Sequence, residues 1–316
     1  MIELSYEQKD NIGLKYVMDR VTPLCPYGVK RLKSEGFYTE EKAVDLEREF
    51  DRIEILSAAW RKDPDSVRKL RHALSGLKDL SGSLKTLENG NLSETELFEM
   101  FSFLQRIRDV AFLARSLPGY ERLEGMDFPP VEEALRALIP SDIERPGFYI
   151  EDDRTPALSA ARTRKREIEK ELRRAKERKE ELLKARQETV LKEEEALQAV
   201  YTDISNALRP LAGCIRANMT AAGLLDAALA KALFAQQNGC VRPKVGGTSL
   251  SFQAAVHPAV REALLGRGRH FVPIDMELPR GVSVLTGANM GGKSVALQTV
   301  TLNVLLALCG FFVYGE

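Results

Sequence analysis

Gly287-Ala288-Asn289-Met290-Gly291-Gly292-Lys293-Ser294 satisfies the pattern G-x-x-x-x-G-K-[ST] at every fixed position. The chemistry such a run can do is the binding of a polyphosphate, which brings several negative charges and must be held without a bulky wall. Glycines let the backbone curl so that successive N–H groups converge on an anion. Lys293 is then placed to reach the β- and γ-phosphates of a nucleotide, and the Ser294 hydroxyl to ligate Mg²⁺. A helix starting at the loop would aim the positive end of its dipole at the same phosphates. Lys293 is the expected catalytic cation, and Gly287, Asn289, Met290, Gly291 and Gly292 are the expected cradle.

Such a loop needs a strand before it and a helix after it. Val282-Ser283-Val284-Leu285-Thr286 is β-branched and apolar, introduced by Pro279-Arg280-Gly281, and is expected to be a buried strand. Val295 to Leu308 is rich in Leu, Val and Ala without Gly or Pro, and is expected to be a buried helix. The stretch from Val295 to Tyr314 is about as long as a membrane span. It contains Gln298 and Asn303, and its unbroken apolar core is too short to cross a bilayer. A buried helix is the better reading, with no membrane partner.

The chain has 316 residues, with 46 basic and 46 acidic side chains. Such a balance gives no overall attraction to nucleic acid or membranes, so any basic surface must be local. Cys25, Cys214, Cys240 and Cys309 form no C-x-x-C pair, and His72, His257 and His270 have no metal-ligand spacing. The opening residues MIELSYEQKDN resemble neither an export nor a transit signal, so a cytoplasmic protein is expected.

Apolar residues recur at helical spacing from Leu14 to about Gly119, for example Ile53, Leu56 and Trp60, then Leu70, Leu74 and Leu77, then Leu97, Met100, Phe101 and Leu104. Ser93 followed by Glu96 is a capping signal. Prolines punctuate the stretch from Pro118 to Gly147. Leu158 to about Leu208 then runs free of Gly and Pro, which predicts one long helix of roughly 75 Å. Its first half is mostly charged, with Glu169–Arg173 and Glu180–Lys184 spaced for ion pairs. Arg162, Arg164, Lys165, Arg166, Arg173 and Arg174 would fit nucleic-acid phosphates, although interleaved glutamates favour a plain solvated face. Its second half carries Leu183, Val190, Leu197 and Ile204 at seven-residue intervals, a stripe for a partner helix. Ala221 to Gln236 predicts a further helix, and TSLSFQAAV and FVPIDMEL predict short strands.

TGANMGGKS closely resembles the TGPNMGGKS of the MutS family of DNA-repair ATPases. AAVHPAV, FVPIDMEL and the loop follow in that family's order, and LDAALAKALFAQQNGCVRP resembles its helix leading into the ATPase domain. VTPLCPYGVKRLKS and LKDLSGSLKTLENGNLSETELFEM resemble its helical core. The resemblance implies a mainly α N-terminal core with long lever helices, followed by the start of an α/β P-loop ATPase domain. The expected divisions are a helical core over 1–157, lever helices without a full clamp over 158–238, and the N-terminal part of the ATPase domain over 239–316. ATP and Mg²⁺ are the implied cofactors. Phe271, in FVPIDMEL, matches the segment from which the family supplies an aromatic to the adenine.

The departures bear on function. The core is expected to begin within the first two dozen residues, so the family's mismatch-reading domain and connector are expected to be missing, and the space between the lever helices is expected to be too short for the usual clamp. GFYTE only superficially resembles the family's Phe-x-Glu wedge, since Phe37 and Glu40 are one residue too far apart. Ala288 replaces a proline and Val295 a threonine, neither of which removes a phosphate or magnesium contact. His257 keeps a His-Pro pair, but Val256 replaces the usual arginine, so no catalytic role is assigned to it. No strand ending in Asp-Glu follows Lys293, so the chain is expected to be the N-terminal portion of a longer protein, unable to hydrolyse ATP by itself. The apolar helix after the loop is expected to lack its covering layer. Two functions follow from the resemblance: an ATP-binding protein of DNA-repair type, homodimeric through the complete ATPase domain, or an ATP-dependent factor that remodels a protein partner such as a cobalamin-dependent aminomutase.

Overall fold

A computed structural model describes residues 4–34, 36–139, 148–174, 177–287 and 292–316. Helix α1 (Tyr6–Ile12) opens under a reciprocal Ser5–Gln8 capping box and stops at Gly13, whose φ of 86° suits a residue without a Cβ. Next come α2 (Leu14–Met18), α3 (Pro26–Ser34) and α4 (Ala43–Lys62). Asp63-Pro64 separates α4 from α5 (Pro64–Ser75): proline cannot donate inside a helix, and Asp63 caps the next one by accepting from Ser66 N. After α6 (Ser81–Asn89), α7 (Glu94–Arg115) starts at the expected box, in which Ser93 N donates to Glu96 at 2.9 Å and Glu96 N to Ser93 Oγ at 3.4 Å. Helices α8 (Glu132–Leu138), α9 (Pro156–Arg174), α10 (Lys179–Leu208) and α11 (Ala212–Asn238) follow. The last elements are β1 (Ser249–Ala255), α12 (Pro258–Leu265), β2 (Ile274–Pro279) and α13 (Lys293–Leu308). The chain is thus an α-rich region followed by the start of an α/β region, the class expected. Among the described residues no helix is long and apolar enough to cross a membrane.

The predicted single helix from Leu158 to Leu208 is instead two, α9 and α10, paired antiparallel. Glu193 accepts from Arg162 at 3.3 Å and from Lys165 at 2.6 Å, and Glu169 accepts from Arg186 at 3.1 Å. Glu169 therefore serves a cross-helix pair rather than Arg173. Folding back leaves Leu158, Ala161 and Ile168 buried on α9, apolar surface that a straight helix would leave in water. The buried face of α10 is Thr189, Ala196, Val200, Tyr201 and Ile204. Of the predicted stripe only Ile204 is fully buried, while Leu183 is 55% exposed. A strict seven-residue count marked a line adjacent to the true contact face.

Two compact units are formed. One gathers three separated segments, Met1–Gly76, Val110–Asp127 and Thr220–Glu316; the other comprises Leu77–Asp109 and Phe128–Met219. In the second unit, α10 packs against α8 and α9. Arg209 closes off the end of α6 by donating to the Leu87 and Gly90 carbonyls at 3.0 and 2.7 Å.

In the first unit one apolar cluster joins Leu14 and Val17 of α2, Phe234 of α11, Leu302 and Leu306 of α13, and Phe311. The predicted bare face of α13 is therefore covered, by the N-terminal helices and α11. Two charged side chains of the alanine-rich α11 are buried and matched. Asp226 accepts from the Leu24 and Cys25 N–H groups at 2.8 and 2.7 Å, just ahead of α3. Lys231 donates to Glu49 of α4 at 2.8 Å. Burial opposes ionisation of Glu49, but Lys231 and Arg52 outweigh it and hold its carboxyl below the ordinary range.

Candidate phosphate-binding site

Antiparallel β1 and β2 lead toward the loop, pairing Leu250 with Leu278 and Phe252 with Met276. An irregularity follows at Ala254, whose φ is 48° and whose N–H donates to the Asp275 carboxylate at 2.7 Å. Past β2, the expected buried strand over 282–286 does not form: these residues carry no ladder, and Val282 and Val284 are 95% and 80% exposed. A β-branched run becomes a strand only where a neighbour supplies backbone partners, and among the described residues none lies alongside it. The expected helix does form, as α13.

Of the loop, Gly287, Gly292, Lys293 and Ser294 are placed, whereas Ala288, Asn289, Met290 and Gly291 lie outside the described residues. Gly287 has φ 155° and Gly292 φ 79°, so both ends of the loop use backbone that favours glycine. Lys293 is the first residue of α13, and its ammonium reaches back across the loop to donate to the Gly287 carbonyl. Ser294, next on the helix, is exposed.

These residues fit a polyphosphate. The N-cap of α13 is a glycine with no side-chain cap, and no acidic residue occupies the first turn. The helix start thus presents N–H groups and a positive dipole end to an incoming anion, without a competing carboxylate. Lys293 already spans the mouth of the loop, so a phosphate entering there exchanges one carbonyl acceptor for charged oxygens. Phe271 is half-buried, ahead of β2 and beside the 80% exposed Val272.

Residues to which the sequence assigned no part in the site hold α13 and its surroundings. Gln298, on its second turn, donates to the Asn11 carbonyl at 2.9 Å. His257 bonds the adjacent Ile12 carbonyl through Nε2 at 3.0 Å and accepts from Val260 N through Nδ1 at 3.4 Å, capping α12. Burial holds its pKa below the ordinary imidazole value, consistent with a neutral ring carrying its proton on Nε2. At the far end, Tyr38 N donates to Leu308 O at 2.7 Å, and Lys231 reaches Cys309 O at 3.3 Å. Beyond the helix, Val313 and Val241 exchange both backbone bonds at 2.9 Å. A sequence signal for Lys231 existed: a lysine among alanines and leucines must find an acid if buried.

The six basic side chains considered for nucleic acid fall into two groups. Arg162, Lys165 and Arg166 are engaged by Asp152 and Glu193, and Arg164 pairs with Glu167 at 3.2 Å. Arg173 and Arg174 are exposed at the end of α9.

No family model matches the chain. Comparison with curated proteins finds the DNA mismatch repair protein MutS of Salinibacter ruber, 36% identical over 137 residues, covering 41% of this chain and 15% of that protein. The protein of the same name from Myxococcus xanthus is 38% identical over 135 residues, covering 40% and 15%. The endonuclease MutS2 of Thermus thermophilus is 34% identical over 126 residues, covering 40% and 16%. The matched part of the chain thus spans about one sixth of the length of these relatives.

Proposed function

From the relationship of this chain to the MutS family, which holds over about 40% of its length, we propose that it is an ATP-binding protein of DNA-repair type that couples nucleotide binding to movement of its lever helices on DNA. Residues 1–157 would form the core, 158–238 the lever and 239–316 the N-terminal part of the nucleotide-binding domain. Lys293 would contact the phosphates, Ser294 would ligate Mg²⁺, and Phe271 would stack on the adenine. Bound Mg²⁺ supplies positive charge that neutralises the phosphate oxygens. A homodimer fits the same reading.

The observation that carries it is the reach of Lys293 from an uncapped helix start back to the Gly287 carbonyl at the other end of the loop. Lys293→Ala removes a charge-assisted contact of about 1.5–3 kcal/mol, so ATP affinity should fall by roughly 10- to 150-fold. Equilibrium binding with Mg²⁺ measures this, and an unchanged affinity eliminates the site.

A second reading, ATP-dependent remodelling of a protein partner, is favoured by the engagement of Arg162, Lys165 and Arg166 with acids of the chain itself. Salt separates the two readings. Binding to DNA through phosphate contacts should weaken steeply as salt rises. Absence of salt-sensitive DNA affinity would leave the protein-partner reading.

A further inference from the structure

We propose that Lys231 is a coupling residue between two helices: it ties the carbonyl end of α13 to α11, so that the two helices shift together when the loop takes up a polyphosphate. The inference rests on the reading of Lys293 as the phosphate lysine and adds a mechanical consequence at the opposite end of the same helix.

The joint is built from buried, mutually dependent contacts. The Lys231 ammonium, with no side-chain exposure, lies 2.8 Å from Glu49 Oε1, 3.3 Å from Cys309 O and 4.8 Å from the centre of the Phe311 ring. The other Glu49 oxygen accepts from Arg52 at 3.1 Å, and Arg52 in turn donates to the Glu124 carbonyl at 3.1 and 2.9 Å. Gly310 makes the close approach feasible. Its φ is 70°, and a Cβ there would meet Glu49 Cγ at 2.9 Å, Tyr38 Cε2 at 3.2 Å and Lys231 Nζ at 3.5 Å.

A buried ammonium cannot give up an acceptor cheaply, and the carbonyl end of a helix is its negative pole. Drawing Cys309 O away would cost the buried Lys231 ammonium one of its acceptors in a place water does not reach. The 16 residues of α13 form a rod roughly 24 Å long with Lys293 at one end and this joint at the other. A displacement imposed at the loop therefore arrives at a contact that resists opening, and α11 must follow. Simple packing would stabilise α11 whether or not a ligand is bound; a joint makes α11 respond to the ligand.

The test is amide hydrogen exchange over residues 221–235 of α11, with and without ATP, in the parent protein and in Lys231→Met combined with Glu49→Gln. In the parent, saturation with ATP should slow exchange there by about tenfold. In the double variant ATP affinity should stay within about threefold of the parent while the slowing disappears, because neither loop nor Lys293 is touched. Gly310→Ala, which keeps every charge but pushes the joint apart, should lose the response too, and it decides the matter if the double variant is unfolded by circular dichroism. A folded variant whose α11 still slows as in the parent overturns the joint. A parent that binds ATP without any response in α11 also overturns it, while a parent that binds no ATP overturns the phosphate-site reading itself.

Discussion

His257 makes one bond with each ring nitrogen, to Ile12 O and from Val260 N, and this arrangement has no place for a second proton. Protonating Nδ1 would set a positive N–H against the donor of Val260. Burial keeps the folded pKa below the ordinary 6.5, so the unfolded chain takes up the proton first as pH falls. The stabilisation by the neutral ring is intact above about pH 6.5 and is lost as pH drops through that value toward the folded pKa. In denaturant titrations, the stability difference between the parent and His257→Gln should therefore shrink between about pH 7.5 and pH 5. A constant difference would show that the ring is not held neutral. Phe271 gives a second residue-scale test. A ring that stacks on adenine contributes to ATP binding and contributes nothing to pyrophosphate binding, so Phe271→Ala should weaken only the former, by about 1–3 kcal/mol. Equal effects on both ligands would assign Phe271 to packing alone. The loop residues were legible because G-x-x-x-x-G-K-S records the chemistry in residue types. The clasp at Asn11 and Ile12 was not, because its acceptors are backbone carbonyls, which every residue possesses.

At the scale of elements, the α9–α10 hairpin depends on a few buried apolar side chains within a charged exterior. Ile168 is 1% exposed, and Ile168→Ala should destabilise the hairpin by about 2–5 kcal/mol. Its signature should be local: faster amide exchange across Pro156–Arg174 and the facing part of Lys179–Leu208, with the exchange of α4 and α5 unchanged. Uniform acceleration in both regions would mean that the hairpin does not open separately. The break between the two helices was not visible in the sequence, since no Gly or Pro marks it. Helix propensity is satisfied on either side, and the choice between one rod and a hairpin is made by long-range pairing such as Arg162 with Glu193. The failure at 282–286 is the converse. Valines at alternate positions announce a strand, but a strand is completed by its neighbour, and propensity alone cannot supply one.

For the molecule as a whole, the apolar liability moved from where it was expected. The face of α13 is packed, whereas Val282 and Val284 stand in solvent on backbone without ladder partners. Such a segment offers both sticky side chains and open hydrogen-bonding groups. Val282→Lys with Val284→Lys should lower concentration-dependent association in sedimentation or light scattering, with the melting temperature essentially unchanged; association that persists would locate the contact elsewhere. The three-segment make-up of the first unit has a further consequence, for the time at which it can fold. Cys25 is held by Asp226, Glu49 by Lys231, and Ile12 by His257, contacts separated by 201, 182 and 245 residues in the chain. During synthesis, α1 to α4 therefore emerge with apolar faces uncovered and stay so until the roughly two hundred residues that separate them from α11 and α13 have been made. The hairpin α9–α10 needs only its own sequence and can close meanwhile. The three-segment unit is thus completed later than the hairpin, and over that interval its first helices present apolar surface that any chaperone could bind.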